Sequence, residues 1–280
     1  MGNSREISAM AEKTLGVIGG GVMGEALLSR LIDQGIFLPH CIVVSDPQIE
    51  RLSYLERTYG VKTTSSNAKV VSQAQVLLLA IKPQMLSLVS EDLADLANSY
   101  FPLAISILAG VSLARLRLCF PDWTMIRAMP NTPATIGAGM TALAAGPEVN
   151  PDQWQQAREI FASVGSVVDV PELWLDAVTA VSGSGPGYIA LVVEALADGG
   201  VSVGLPRAMA MELALQTIKG TAELLQETNL HPGVLKDRVT SPGGTTIAGI
   251  AELEKAGLRA AMMAAVRAAY HRSKELGQSK

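Results

Sequence analysis

Short apolar runs alternate with helical patterns along the first 170 residues of the chain. Six of these runs predict β-strands: Leu15–Ile18, Cys41–Ser45, Val61–Thr63, Val76–Ala80, Leu103–Ile107 and Met125–Ala128. Most are too apolar to alternate, which favours strands covered on both faces of a parallel sheet. The helical patterns between and after them are Met23–Gln34, Pro47–Tyr59, Gln84–Ala97, Leu113–Cys119 and Pro151–Val164. This alternation predicts a doubly wound α/β (Rossmann) domain over residues 14–170, with candidate edge strands at Met140–Ala144 and Ser166–Val170.

The strand pattern ends near Pro171, and the rest of the chain predicts helices alone. The three long helical patterns are Tyr188–Val203, Arg207–Glu227 and Ala256–Lys274. The last contains Ala260–Val266, which is apolar nearly all round, and a helix of this kind is buried. Because a small helical domain cannot bury such a helix alone, we expect residues 171–280 to form a dimerisation domain that packs against a second copy of the chain.

Composition narrows the function classes. Charged residues make up 17% of the chain, below the ~25% of average soluble domains, which indicates surface buried between subunits. The net charge of −4, without a basic run, argues against nucleic acid as a partner. The sequence contains no long, uninterrupted apolar stretch of the kind that predicts a membrane-spanning helix. The histidines and cysteines lack zinc-site spacing, so we expect no metal site.

The first 13 residues predict a lead-in rather than a folded element. Residues 1–13 mix charged with small residues and lack the apolar core of a signal peptide. We therefore expect a short disordered segment, followed by a protein that works in the cytoplasm.

A glycine motif follows the first predicted strand. Gly19, Gly21 and Gly24 match G-x-G-x-x-G between a strand and a helix. The first glycine permits the tight turn, the second lets the backbone approach a pyrophosphate, and the third allows close packing of helix and strand. A plain glycine-rich turn would not need all three. We therefore predict that a dinucleotide binds at the start of this helix, where free N–H groups favour phosphate. The predicted contacts are Gly19, Gly20, Gly21, Val22, Met23 and Gly24.

Charged residues at two strand ends are further candidates for cofactor contact. Asp46 ends the second predicted strand, where an acid can bind the adenosine ribose of NAD and would repel the 2′-phosphate of NADP. The alternative is a helix N-cap, because Pro47 follows at the favoured first helical position. Arg51, one helical turn further on, could offset the repulsion. Lys82 follows the fourth strand, and strand ends in open α/β sheets face the ligand crevice, so Lys82 is a candidate for cofactor contact. The alternative is a solvated lysine, which is more common at a strand end.

A second glycine loop lies in the helical half, at Ser241–Thr246, and a helical pattern follows it. Backbone N–H groups in such a loop can point at a carboxylate, and threonine hydroxyls can donate to it. The alternative is a capped helix start, in which Ser241 or Thr245 only satisfies backbone groups. The small-residue turn Val181–Tyr188 also has two interpretations, a close helix crossing or a contact with a ligand.

These motifs together resemble one family, the Δ1-pyrroline-5-carboxylate reductases. The resemblance runs from about Leu15 to Gly277. It rests on the segments Ile18–Gly24, Ala80–Pro83, Ile126–Pro133, Val181–Tyr188 and His231–Ile247. The strings Arg-Ala-Met-Pro-Asn-Thr-Pro and Ser-Pro-Gly-Gly-Thr-Thr are highly specific to that family, and their order and spacing fit it. The resemblance implies that hydride passes from NADH or NADPH to the imine carbon of 1-pyrroline-5-carboxylate and gives L-proline, the last step of proline biosynthesis.

The resemblance also implies roles for single residues. In similar proteins the second threonine of the loop, here Thr246, is the catalytic hydrogen-bond donor to the ring nitrogen. The residues that the resemblance places on the substrate are Ser241, Gly243, Gly244, Thr245 and Thr246. The residues that it adds to the cofactor site are Asn67, Ala80, Lys82, Pro83, Ala109 and Gly110. Asp46 stands where a serine is often found, which argues against the usual preference for NADP and leaves the choice between NADP and NAD open.

Two other functions are weighed against this one. A β-hydroxyacid dehydrogenase shares the glycine motif and a helical second domain, but it needs a lysine at the centre of its helices. Lys219 is the only lysine within Arg207–Glu227, and no matching motif flanks it. A non-catalytic dinucleotide sensor would carry a damaged C-terminal loop, whereas Ser241–Thr246 is intact. The absence of an obvious His or Cys catalyst is no objection to the reductase, because a cyclic imine is readily protonated and positioning dominates its reduction.

Overall fold

A computed structural model of the protein describes residues 10, 12–94, 96 and 101–278. In these described residues, eight strands form one sheet in the order β3-β2-β1-β4-β5-β6-β7-β8. The strands are β1 Leu15–Ile18, β2 Ile42–Ser45, β3 Lys62–Thr64, β4 Val76–Leu79, β5 Leu103–Ser106, β6 Met125–Met129, β7 Gly139–Ala145 and β8 Gly165–Asp169. The predicted lead-in at residues 1–13 falls mostly outside the described residues.

Twelve α-helices are present in the described ranges. They are α1 Val22–Asp33, α2 Ile49–Tyr59, α3 Asn67–Val71, α4 Leu86–Asp92, α5 Leu113–Cys119, α6 Pro151–Ala162, α7 Leu175–Val178, α8 Gly185–Ser202, α9 Arg207–Thr228, α10 Pro232–Arg238, α11 Thr245–Lys255 and α12 Leu258–Gln278. The sequence pattern did not predict the short helix α3.

The central strands are buried on both faces, as their unbroken apolar runs predict. In β4, Val76 and Leu78 join one hydrophobic core, whereas Leu77 and Leu79 join the other. Successive side chains of a strand point to opposite faces, so each core covers one side of the sheet. Because both faces of these strands are covered, ligands can reach them only at their ends.

The sheet is mixed rather than wholly parallel. The pairs from β3 through to β6 are all parallel, but β7 runs antiparallel to β6, and β8 runs parallel to β7. A compact turn explains the reversal, because the segment between β6 and β7 is the short 3₁₀ helix Thr132–Ile136 rather than a crossover helix. Parallel neighbours need a crossover of a dozen or more residues.

The described chain divides into two compact units. One contains residues 1–183 together with residues 269–280, and the other contains residues 184–268. The last turns of α12 thus group with the sheet. Within the part of the chain that the structure describes, one helical run, Glu172–Ser202, is long and apolar enough to cross a membrane, by length and composition alone. This run is not a regular α-helix, because a π-helical turn at Thr179–Gly183 separates α7 from α8.

Candidate functional site

The sheet topology brings the predicted cofactor residues to one edge. Strands β1 to β5 are parallel, so their carboxyl ends all meet there. The segments that follow these five strands are Gly19–Gly24, Asp46, Asn67, Ala80–Pro83 and Ala109–Gly110. The chain order reverses between β1 and β4, and ligands of open α/β sheets bind at such a switch point.

The glycine loop has the geometry that a pyrophosphate needs. Gly19 has a φ of +100°, and a Cβ there would lie 2.6 Å from the carbonyl oxygen of Ala80. A Cβ on Gly24 would collide with the carbonyl oxygen of Gly19. A Cβ on Gly21 would meet no protein atom within 4 Å. Gly19 and Gly24 are therefore explained by packing, whereas the protein itself leaves open space at Gly21.

Helix α1 begins at this open space with its N–H groups available. Gly21 is its N-cap residue and provides no side-chain hydrogen bond. Val22, the first helical residue, is 76% exposed although it is apolar. An uncapped helix start with an exposed apolar residue fits a phosphate and its neighbouring sugar.

Asp46 is bonded to the glycine loop. One carboxylate oxygen accepts the backbone N–H of Gly20 at 3.0 Å, and the other accepts the N–H of Gln48 at 3.0 Å. Helix α2 begins at Ile49, with Gln48 as its N-cap residue, so Asp46 lies before the cap rather than at it. The carboxylate ties the end of β2 to the loop and still stands at the position that faces ribose in dinucleotide folds.

A charged cluster lies on the other side of Gly20. Arg51 donates from Nε to the carbonyl oxygen of Gly20 and forms an ion pair through Nη2 with Glu25, in the first turn of α1. Tyr54 and Tyr59 donate to the other Glu25 oxygen at 3.0 and 2.7 Å. Burial alone raises the pKa of Glu25, but hydrogen bonds from Arg51, Tyr59 and Tyr54 outweigh it and lower that pKa. No local sequence motif marks Glu25, Tyr54 or Tyr59 as part of this site.

Asn67, the first residue of α3, bridges two elements at the same edge. Its Oδ1 accepts the hydroxyl of Ser45 at 2.7 Å, and its Nδ2 donates to Asp92 at 2.9 Å. Lys82 is exposed and precedes the 3₁₀ turn that Pro83 begins. Asn67 is thus held by the protein, whereas Lys82 is open to solvent.

Gly110 lies against the end of the last helix. Its φ is +77°, and a Cβ there would lie 2.8 Å from the carbonyl oxygen of Ser273 and 3.1 Å from the nitrogen of Gly277. A Cβ on Gly277 would in turn collide with the carbonyl oxygen of Gly110. Ser273 is buried and donates to Asp176 at 2.7 Å. Helix packing therefore explains Gly110 without any ligand, while Ala109 beside it stays half-buried.

The second glycine loop forms an uncapped helix start. Gly243 has a φ of +65°, the Gly244 N–H donates to the Ser241 carbonyl at 3.0 Å, and α11 begins at Thr245. Gly244 is the N-cap residue and offers no side chain. Within the described ranges, the hydroxyls of Ser241, Thr245 and Thr246 make no hydrogen bond. By contrast, the helical threonines Thr221, Thr228 and Thr240 donate to carbonyls of their own helices. The alternative of a cap by Ser241 or Thr245 is therefore not formed, and no side chain caps the start of α11.

The segment Ile126–Pro133 supports the fold around the sheet. Arg127 is buried and forms an ion pair with Glu172 at 2.9 Å, and Glu172 also accepts the N–H of Leu113. Asn131 donates to the carbonyl of Ser182 and accepts the N–H of Met140. The family-specific string thus orders the turn that leads towards α8. Glu172 is recognised only through its ion pair with Arg127. No local sequence pattern around Glu172 predicts that partner.

Two family models match the chain. The model described as pyrroline-5-carboxylate reductase dimerisation matches residues 172–276, and the one described as NADP oxidoreductase, coenzyme F420-dependent, matches residues 14–110. Among curated relatives, the pyrroline-5-carboxylate reductase of Synechocystis sp. is 60% identical over 264 residues, which cover 94% of this chain and 98% of the relative. The chain belongs to the pyrroline-5-carboxylate reductase family.

Solved structures of the family have the same fold. A pyrroline-5-carboxylate reductase from Coxiella burnetii has a TM-score of 0.87 at 36% identity and covers 96% of this chain and 100% of its own. Pyrroline carboxylate reductase from Plasmodium falciparum, solved with NADP bound, has a TM-score of 0.86 at 31% identity, with the same coverage. The predictions of family, fold, enzyme class and NAD(P) dependence are confirmed, and the dimerisation model makes the chain a homo-oligomer.

The competing enzyme class is excluded by this membership. Lys219, its required lysine, is exposed on α9 and lies 3.8 Å from Glu223. Within the described ranges, no group of three His, Cys, Asp or Glu side chains could hold a metal ion. The expectations of no metal, no nucleic acid and no membrane remain predictions.

Proposed function

We propose that this chain reduces 1-pyrroline-5-carboxylate to L-proline, with the cofactor held at the edge that carries the glycine loop and the substrate held at the start of α11. The observation that carries the proposal is the pair of uncapped helix starts, at Gly21 and at Gly244. One fits a pyrophosphate and the other fits a carboxylate. The proposal assigns cofactor binding to residues 14–170 and substrate binding to residues 171–280, in the cytoplasm.

The cofactor site would use the loop, the strand ends and the crevice-facing residues. The proposed contacts are Gly19, Gly20, Gly21, Val22, Met23, Gly24, Asp46, Asn67, Ala80, Lys82, Pro83, Ala109 and Gly110. The open space at Gly21 is the direct support, because no protein atom fills it. The bound nicotinamide supplies the hydride, and the chain contributes orientation.

The substrate site would use the loop Ser241–Thr246. The first N–H groups of α11 would hold the carboxylate, favoured by the positive end of the helix dipole. The hydroxyl of Thr246, which has no partner within the described residues, would donate to the ring nitrogen. Because a cyclic imine needs little acid catalysis, holding its two ends is the main work of these residues.

The activity is tested in both directions. Oxidation of NADH or NADPH should depend on added 1-pyrroline-5-carboxylate, and at high pH L-proline should drive the reduction of NAD or NADP. A protein that binds the dinucleotide but shows neither reaction would be the sensor rather than the enzyme. A β-hydroxyacid in place of proline serves as the negative control.

Replacing Asp46 should change the choice of cofactor. A carboxylate near the 2′-phosphate is a like-charge contact worth ~1–3 kcal/mol when partly desolvated. Asp46→Ser should therefore raise the NADPH/NADH ratio of kcat/KM about tenfold or more, since each ~1.4 kcal/mol is one decade. Steady-state kinetics with both cofactors measure this ratio. If the ratio stays unchanged, Asp46 serves only the loop through Gly20 and Gln48.

The homo-oligomer is proposed to be an obligate dimer built from the helical half. Large apolar side chains on α8 and α9 are exposed in the single chain, among them Leu191 at 66%, Leu213 at 52% and Leu215 at 52%. An open groove of about 560 Å³ runs between the two helices. This apolar face includes part of the run that is long enough to cross a membrane, and we assign it to packing between subunits instead.

Light scattering at micromolar concentration should show a dimer or a larger assembly. Obligate dimers bury more than ~2,000 Å², and a charge placed within the interface is strongly unfavourable. Leu191→Glu should therefore dissociate or precipitate the protein. Leu118→Glu, at an exposed leucine of α5, should leave the assembly intact. A stable, active monomer of the unchanged protein would contradict the proposal.

A further inference from the structure

The charged cluster beside the glycine loop bears on cofactor choice. Gly20 is bonded on both sides by charged groups: its N–H donates to Asp46, and its carbonyl oxygen accepts from Arg51. The guanidinium therefore lies next to the carboxylate that faces the adenosine ribose in dinucleotide folds. An arginine in this region is the usual partner for a 2′-phosphate.

The contacts of Arg51 leave it poorly available. Its Nε and Nη2 form one of the edges with which a guanidinium grips an oxyanion in bidentate fashion. That edge is occupied by the Gly20 carbonyl and by Glu25. The side chain also lies over the ring of Tyr54, 5.1 Å from its centroid. Three partners, the Gly20 carbonyl, the Glu25 carboxylate and the Tyr54 ring, thus hold the guanidinium in one place.

The charges of the cluster lead to the same conclusion. Glu25 and Arg51 are 22% and 23% exposed at their side chains, so their pairing is only partly screened by water. Glu25 neutralises Arg51, and Asp46 adds a further negative charge, which leaves the three groups with a net charge of −1. The negative cluster would repel the 2′-phosphate of NADPH. The ribose hydroxyls of NADH are neutral, so they would not be repelled.

We propose that Glu25 is a specificity-determining positioning residue, which withholds Arg51 from the 2′-phosphate and so favours NADH over NADPH. The proposal rests on the assignment of the glycine loop to the cofactor. Glu25 acts through Arg51 rather than by touching the cofactor. Tyr54 and Tyr59 support it, because their hydroxyls hold the carboxylate oxygen that Arg51 does not use.

Glu25→Gln tests the proposal. The amide oxygen can still accept from the tyrosines, but the charge that holds Arg51 is lost. We expect the ratio of NADH Kd to NADPH Kd to rise at least fivefold, because Arg51 is then free to meet the 2′-phosphate. Titration calorimetry on the assembled protein, without pyrroline carboxylate, measures both constants. A failure of the proposed reaction would appear only in turnover and not in these constants.

A double variant separates release of Arg51 from simple loss of charge. In Glu25→Gln with Arg51→Gln, the gain should disappear, and the ratio should return to the starting value or below it. Glu56→Gln makes the same charge change on an exposed residue of α2 and should leave the ratio within twofold. The proposal is overturned if Glu25→Gln lowers the ratio or leaves it unchanged, or if the double variant keeps the gain.

Discussion

Gly21→Val is expected to abolish dinucleotide binding while leaving the fold intact. The structure places no protein atom within 4 Å of a Cβ at this position. Its φ of −68° and ψ of −171° are ordinary for any residue. A valine would therefore fit the unbound protein but occupy the space assigned to the pyrophosphate. We expect the Kd for NADH and NADPH to rise more than a hundredfold, which corresponds to at least ~2.7 kcal/mol.

Gly24→Ala is the matched comparison on the same helix. Its Cβ would collide with the carbonyl oxygen of Gly19, so it should lower the melting temperature as well as cofactor affinity. Gly21→Val should shift the melting temperature by only a few degrees, because an apolar N-cap residue costs about 1 kcal/mol. If Gly21→Val binds the cofactor normally, the pyrophosphate does not lie against this loop.

Thr246→Ala should lower kcat about ten- to a hundredfold, the range of one lost hydrogen bond of ~1.5–3 kcal/mol. Thr246 lies in the first turn of α11, and its hydroxyl has no partner within the described residues. Because the proposed cofactor site is elsewhere, the Kd for NADH and NADPH should hardly change. Steady-state and single-turnover assays with 1-pyrroline-5-carboxylate measure the loss.

Two further variants separate the roles within the substrate site. Thr221→Ala removes a hydroxyl that donates to the carbonyl of Thr217, so it should leave kcat unchanged. Gly244→Val should mainly raise the KM for the substrate, because its Cβ would crowd the Ser241 side chain and close the turn. If Thr246→Ala leaves kcat and KM unchanged, the proposed donor role is wrong and Thr246 serves only at the start of α11.

Periodicity was sufficient to predict the sheet but not its full topology. The predicted runs located β1 to β6 within one residue. For β1, β2, β4 and β5 the reason is that a strand covered on both faces is apolar along nearly its whole length. The partly exposed β3, Lys-Thr-Thr, does not follow this rule. The reversal of β7 was missed, since strand direction depends on the connection and not on the strand itself. The short helix α3 was missed because five residues are too few to show a helical period.

The candidate site was predictable where a local pattern exists. The two glycine loops are contiguous strings, and each one places backbone N–H groups at a helix start. Glu25 and Arg51 lie on different helices, and only the packing of α1 beside α2 brings them together over Gly20. Gly110 illustrates the opposite case, because its motif implied a cofactor contact, whereas the structure already explains it by the neighbouring helix.

The crossing between Gly110 and Gly277 has a consequence for how the chain can diverge. A Cβ on Gly277 would collide with the carbonyl oxygen of Gly110, and a Cβ on Gly110 would lie against the backbone of Ser273 and Gly277. Because the colliding atoms belong to the backbone, a substitution at one glycine cannot be compensated by a substitution at the other. Sequence change at Gly277 in α12 is therefore constrained by the loop after β5, which contains Gly110. Functional variants selected from a random library should therefore keep glycine at both Gly110 and Gly277. This is expected even though Gly277 lies near the carboxyl terminus, where substitutions are usually harmless.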